Sequence, residues 1–281
     1  MLVTNDVALI TFVPFTCSLL QRDDQRKILL RIVVIEAAAA NLGSMATPIG
    51  NPQNLYLYST YSFSLGTFFK TILPIVGISY IGLLFSLLLI PQQPLAAEIP
   101  TESHLPLSAQ KKNLIIYSIL GVVCLTTVAG LVTHVVCFCV VLLGMIVTDR
   151  ALIRRVDWEL LLTFVCFFLF SGNLQQIEPV RNLMMQGLSG GVCLTAALVS
   201  QVISNVPAAV LLSGFTEQGK ELLLGVDIGG LGTPIASLAS LIAYQYYAKS
   251  KLANPAKYLQ FFFIYQFIGL FLLLAMKFIM L

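Results

Sequence analysis

The chain has 281 residues, of which 58% are hydrophobic and only 10% charged, with a formal net charge of +3. Soluble domains carry roughly 25% charged residues, so a water-soluble fold is excluded, and so small a net charge gives no basis for a nucleic-acid partner. With a mean hydropathy of +0.90, the sequence predicts an all-α polytopic membrane protein with room for about eight or nine spans of ~20 residues.

In chain order, segment 7–20 is apolar but too short to span, and it lacks the basic flank of a signal peptide. The loop 21–31 carries Arg22, Arg26, Lys27 and Arg31. Segment 28–58 is long and interrupted, with Glu36 inside it, and 67–90 spans. Residues 91–112 form a polar, Pro-containing linker, the expected cytoplasmic seam between a first part, 1–90, and a second, 113–281. Segments 114–132, 135–147 and 158–170 are apolar, and 189–215 is apolar but broken at Ser204-Asn205-Val206-Pro207. Segment 226–247 is interrupted near its start, and 258–281 is the last span. The six cysteines (Cys17, Cys124, Cys137, Cys139, Cys166, Cys193) fall mostly in apolar runs and read as small core residues rather than metal ligands or disulfides.

Two stretches repeat each other 186 positions apart (233 − 47). Thr47-Pro48-Ile49-Gly50-Asn51-Pro52-Gln53-Asn54 aligns with Thr233-Pro234-Ile235-Ala236-Ser237-Leu238-Ala239-Ser240, and each follows a glycine-bearing run, Asn41-Leu42-Gly43-Ser44 or Gly229-Gly230-Leu231-Gly232. Interrupted helices at matching places in two halves are the sequence pointer to a transporter's binding site. Placing the loops 21–31, 91–112, 149–157 and 248–257 in the cytoplasm puts twelve of the sixteen Lys and Arg on one side, a strong positive-inside bias. That assignment requires two segments to enter and return, with tips at Thr4-Asn5-Asp6 and Ser204-Asn205-Val206, and it leaves the C-terminus outside. Irregular backbone at membrane depth must be buried in protein or line a cavity. The expected architecture is two inverted repeats, each with a re-entrant hairpin and an unwound (discontinuous) helix. Ser204 lies about ninety residues past the start of its half and Thr4 only three from the chain start, so the first repeat is expected to lack its N-terminal helices.

Together, Thr4-Asn5-Asp6-Val7-Ala8-Leu9 and the Gly43-Ser44-Met45-Ala46-Thr47-Pro48-Ile49-Gly50-Asn51-Pro52-Gln53-Asn54 run resemble the citrate-transporter-like branch of the ion transporter superfamily, which includes sodium–dicarboxylate symporters and arsenite permeases. The resemblance covers essentially the whole chain. It implies a homodimer moving by an elevator-type shift, and hairpin tips that bind substrate and Na⁺. In the dicarboxylate symporters both tips read Ser-Asn-Thr. Here Asn5 and Asn205 match, while Asp6 and Val206 depart from the third position and weigh against a dicarboxylate substrate.

The expected function is secondary active transport of small anions, carboxylates such as citrate or dicarboxylates foremost, coupled to Na⁺ or H⁺. The alternatives are an arsenite- or antimonite-type or other inorganic anion permease, or a truncated remnant that does not transport. With no nucleophile–base pair, metal cluster or phosphate loop in the sequence, an enzyme is not expected. Candidate substrate and ion contacts are Thr4, Asn5, Asp6, Asn41, Gly43, Thr47, Pro48, Asn51, Asn54, Ser204, Asn205, Val206, Gly230, Gly232, Thr233, Pro234, Ser237 and Ser240. Backbone carbonyls around Asn41, Gly43, Gly230 and Gly232 suit Na⁺ as the coupling ion, and no other cofactor is expected. The expected partners are the anion, the bilayer of a bacterial inner membrane and a second copy of the chain. Glu36 reads as functional or paired because intramembrane carboxylates are expensive. Asp6 reads equally as a helix cap or an ion or proton site, Asp227 as an outer helix cap, Glu178 with Arg181 as a structural pair at the hairpin entrance, and His134 as a hydrogen-bonded interior histidine.

Overall fold

Long apolar runs close their backbone hydrogen bonds locally, and Gly, Pro and Asn decide where the helices stop. A computed structural model describes residues 4–88, 90–91, 107–128, 130–148, 150, 153, 156 and 158–280. Most of the expected linker 91–112, most of the loop 149–157 and whatever precedes Thr4 lie outside the described residues. The helices are α1 (Asn5–Leu19), α2 (Arg26–Ser44), α3 (Pro52–Thr60), α4 (Leu65–Leu88), α5 (Leu107–Val128), α6 (His134–Thr148), α7 (Trp158–Leu174), α8 (Glu178–Gly190), α9 (Val192–Ile203), α10 (Asn205–Ser213), α11 (Gly219–Ile228), α12 (Leu238–Ala248) and α13 (Pro255–Met280). No strand occurs among the described residues.

By length and composition, α4 and α13 can each cross a membrane. Their outward faces are apolar: Ile81, Phe85 and Leu88 on α4 and Phe271, Leu272 and Ile279 on α13 are exposed, as suits contact with lipid. The interruption expected within 28–58 falls between α2 and α3, and that within 226–247 between α11 and α12. The segment expected as one broken unit over 189–215 has an additional break. Gly191 takes φ +143 between α8 and α9, a conformation open to glycine and strained for other residues.

The chain divides into two units, one of residues 1–97 and 166–281, the other of residues 98–165. In the smaller unit α5 packs on α6, and Cys137 Sγ lies 3.9 Å from Cys124 Sγ. His134 is exposed at the start of α6, so the interior position expected for it is not observed. Among the cysteines only Cys193 is buried, and all six are free. The core role expected for them therefore holds for Cys193, while Cys124, Cys139 and Cys166 face outward. Apolar runs that meet lipid place small residues outside as readily as inside.

The larger unit has two apolar clusters. Leu9, Val13, Leu29, Val33, Ala243 and Phe262 join α1, α2, α12 and α13, with Tyr247 stacked on Tyr258 at 4.6 Å between ring centres. Leu57, Phe68, Ala196, Leu212, Val226 and Leu270 join α3, α4, α9, α10, α11 and α13. Between α9 and α11 the backbones approach closely: a Cβ on Gly225 would meet Cys193 O at 2.5 Å, the small-residue contact that packs helices in membranes.

At the far end of α11, Glu221 accepts from Lys277 Nζ of α13 at 2.5 Å, and Lys277 is only 8% exposed. Removing one partner leaves the other poorly solvated. Lys277→Met is expected to cost about 1–2 kcal/mol, and the Glu221→Gln, Lys277→Met double variant to recover part of it. Detergent melting curves of the single and double variants, read as a thermodynamic cycle, check this.

Candidate functional site

Both helix breaks are built from capping chemistry. After α2, the Ser44 hydroxyl turns back to Asn41 O at 2.8 Å. The chain then restarts at Asn51, whose Oδ1 accepts from Asn54 N at 2.9 Å with Pro52 in the first turn of α3, a favoured helix start. After α11, residues 229–233 are non-helical, with Gly232 at φ +108. Thr233 Oγ then accepts from Ala236 N at 3.1 Å to open a short 3-10 turn, Pro234–Ala236, ahead of α12.

The expected tips meet these breaks. Asn5 opens α1, and its N–H donates to Gly50 O at 3.2 Å. Ser204, between α9 and α10, has φ +76, a strained conformation for a residue with a side chain, and its hydroxyl donates to Ala236 O at 3.3 Å. Gly50 and Ala236 are equivalent in the repeat (50 + 186 = 236), so each tip engages the same carbonyl of its own break. Thr4 flanks the first tip with no side-chain capping bond. Val206 is buried in the first turn of α10, and Asn205 Nδ2 lies 3.0 Å from where a Cβ on Gly230 would stand.

Across the breaks, Asn41 is a hub. Its Nδ2 donates to Gly230 O at 3.2 Å and to Ser240 Oγ at 3.3 Å, and its Oδ1 accepts from Ser237 Oγ at 2.8 Å and from Asn5 Nδ2 at 3.4 Å. The converse contact is made by Asp227, the repeat equivalent of Asn41 (41 + 186 = 227). Its Oδ1 accepts from Asn51 Nδ2 and Gln53 Nε2, each at 3.3 Å, and Asn51 is the equivalent of Ser237 (51 + 186 = 237). Asp227 is 4% exposed in the last turn of α11. The outer helix cap expected of it is therefore overturned, because the carboxylate points into the protein and is held by carboxamides.

Gly43, Thr47 and Pro48 line the first break, with Gly43 O accepting from Ala46 N at 3.3 Å. Asn54 Nδ2 spans the same loop, donating to Met45 O at 3.2 Å and Thr47 O at 3.4 Å. Sequence reasoning missed Gln201, which clamps the second break. Its Nε2 donates to Gly229 O at 2.8 Å and Leu231 O at 2.9 Å, its Oε1 accepts from Thr233 N at 2.8 Å, and its carbonyl accepts from Thr233 Oγ. The available signal was a carboxamide one helical turn before the Ser204 break.

Asp6 is buried in the first turn of α1 with Oδ1 unpartnered. Glu36 accepts from Thr16 Oγ at 2.5 Å, while its Oε2 has no partner. Pairing is thus observed for Glu36, with a hydroxyl rather than a cation. Glu178 and Arg181 are both exposed on α8, and no ion pair joins them among the described residues.

Residues 1–217 match the family model described as citrate transporter. The chain is 32% identical over 242 residues to the uncharacterized transporter MJ0456 of Methanocaldococcus jannaschii, covering 86% of this chain and 65% of that protein. It is 34% identical over 256 residues to the inner membrane protein YbiR of Escherichia coli, covering 85% of this chain and 64% of that protein. The chain thus spans a little under two thirds of the length of these curated relatives. With more than half of its residues under the family model and its long apolar helices, this chain is an integral membrane protein that belongs to the citrate transporter family.

Proposed function

We propose that the chain carries the binding core of a secondary transporter for small anions, carboxylates foremost, coupled to Na⁺ or H⁺. The observation that supports this most is the reciprocal pairing of the two breaks: Asn41 with Ser237 and Ser240, and Asp227 with Asn51. Reciprocal contacts between equivalent residues are the signature of a two-fold relation. Here they favour two inverted repeats around a shared polar centre, with the two parts 1–90 and 113–281 each contributing a re-entrant hairpin. Family membership supports transport over catalysis.

The anion lies between Asn5 and Asn205 and the breaks at Thr47-Pro48 and Thr233-Pro234. Carboxamide, hydroxyl and backbone N–H donors bind it without a fixed positive charge. No Lys or Arg belongs to this set, so a coupled cation offsets the anion's charge. Ion contacts come from carbonyls around Asn41, Gly43, Gly230 and Gly232. The working protein is a homodimer in a bacterial inner membrane, with its C-terminus outside.

The test is anion-dependent melting of the purified protein, with and without Na⁺, beside uptake in vesicles. A ligand that binds only the folded state raises the melting temperature. The Asn5→Ala, Asn205→Ala double variant should fold and lose anion stabilisation and uptake by at least about tenfold, one lost hydrogen bond to a charged ligand being worth ~1.5–3 kcal/mol. Full uptake by that variant would sink the site. A response to arsenite or antimonite alone would select the inorganic-permease alternative.

A further inference from the structure

A cavity of about 150 Å³ lies between α2, α4 and α13, next to the second break. Its buried side is formed by Ala38 and Leu42 of α2 and by Leu231 of the break. Its exposed side is formed by Gly82 of α4 with Ile268 and Leu272 of α13, on the faces suited to lipid. The lining is mostly apolar, and no charged side chain is among the described residues that form it.

One polar group in this lining is unsatisfied. Gln266 of α13 is 1% exposed, and neither its Oε1 nor its Nε2 has a hydrogen-bond partner. The hydroxyls around it are all committed: Tyr265 donates to Ser86 Oγ at 2.8 Å, Ser86 to Gly82 O at 2.8 Å and Ser79 to Ile75 O at 2.7 Å. A buried carboxamide with no partner is costly, and native proteins satisfy nearly all such groups. Apolar walls with a few placed polar groups that fix orientation are the make-up of a ligand pocket.

We propose that this cavity binds a neutral, phenol-sized molecule with one hydroxyl group, which enters from the bilayer and hydrogen-bonds Gln266. A hydroxyl both donates and accepts, and so matches a carboxamide with both atoms free. An uncharged, apolar lining rejects an ion, whose lost hydration it could not offset. An apolar cavity of about 150 Å³ holds one benzene ring, which sets the size of the ligand's body. Occupancy bears on the breaks. Leu42 directly follows Asn41, Leu231 directly follows Gly230, and Asn41 Nδ2 donates to Gly230 O at 3.2 Å. A ligand wedged against Leu42 and Leu231 therefore touches the neighbours of both partners in that bond. The site is separate from the proposed anion site and does not rest on it.

The experiment uses the full chain in lipid nanodiscs without any transported anion. It is titrated with para-fluorophenol or with para-fluorotoluene, the same shape without the hydroxyl, and followed by fluorine NMR, with empty nanodiscs as the reference for partitioning. Para-fluorophenol should bind saturably and about fivefold or more tighter than para-fluorotoluene, the worth of one neutral hydrogen bond. Gln266→Leu nearly keeps the side-chain size, and it should fold and bind both probes alike. Gly82→Phe, at a position where an added Cβ meets nothing within 4 Å, should fill the mouth and abolish binding of both. No saturable binding beyond that of empty nanodiscs would mean that only water or an acyl chain occupies the cavity, and it overturns the proposal. Equal affinity of the wild type for the two probes overturns it too, and this comparison decides the matter should either variant not fold. A hydroxyl preference that survives Gln266→Leu, or binding that survives Gly82→Phe, places the probe elsewhere and overturns it likewise.

Discussion

Asn41→Ala is expected to destabilise the protein by about 3–4 kcal/mol, far more than one truncated surface amide. The side chain makes four hydrogen bonds in a buried setting, to Asn5, Gly230, Ser237 and Ser240. Truncation leaves the Gly230 carbonyl and the Asn5 amide without this partner, and each stranded buried group costs about 1–3 kcal/mol. The bonds share one side chain, so their loss is cooperative rather than a set of independent deletions. Ser237→Ala is the matched control: it removes only the 2.8 Å bond to Asn41 Oδ1 and should cost about 1 kcal/mol. Unfolding of both variants in detergent measures the difference. Equal losses would mean that Asn41 is one contact among many and does not fasten the two breaks.

The same hub shows how far the sequence could be read. The breaks were legible because their causes are local: Asn51 before Pro52, Thr233 before Pro234, and glycines that stop α11. The positions expected as tips, Asn5 and Ser204, were legible as polar punctuation in apolar runs, and the structure brings each to the equivalent carbonyl of its own break. Asp227 was misread because one acidic residue after an apolar run looks like a cap. Extending the repeat alignment six residues toward the N-terminus pairs it with Asn41 and removes that reading. Gln201 could not be placed from periodicity, because its role depends on how α9 packs beside the second break, a tertiary fact. The outward cysteines and the exposed His134 failed for a related reason: an apolar run in a membrane chain does not say which of its faces meets protein.

Gly50→Ala should be the most damaging single-carbon change in the first break, although alanine stands at the equivalent position of the second. A Cβ on Gly50 would strike the Ser44 carbonyl oxygen, with Ser44 C at 2.8 Å and Cα at 3.0 Å behind it. All three atoms are backbone, so no rotamer change relieves the clash, and the loop itself must move. Overpacking of this kind costs about 1–3 kcal/mol or more. The loop carries Gly50 O, which accepts from Asn5 N, and Asn51, which caps α3 and holds Asp227. A shift therefore displaces the tip, the cap and the carboxylate contact together. The proposed anion binding should weaken by about tenfold or more, tenfold being ~1.4 kcal/mol, and the melting temperature should fall. Ala236→Gly is the converse test. Ala236 is buried without such a contact to relieve, so the change should cost only about 0.5–1 kcal/mol, the usual flexibility penalty of glycine. Anion-dependent melting of both variants separates the cases. A harmless Gly50→Ala would mean that the close approach to Ser44 is not needed to hold the first break. A harmful one beside a tolerated Ala236→Gly would mean that the two repeats, alike in sequence, differ in how tightly their backbones are drawn around the site.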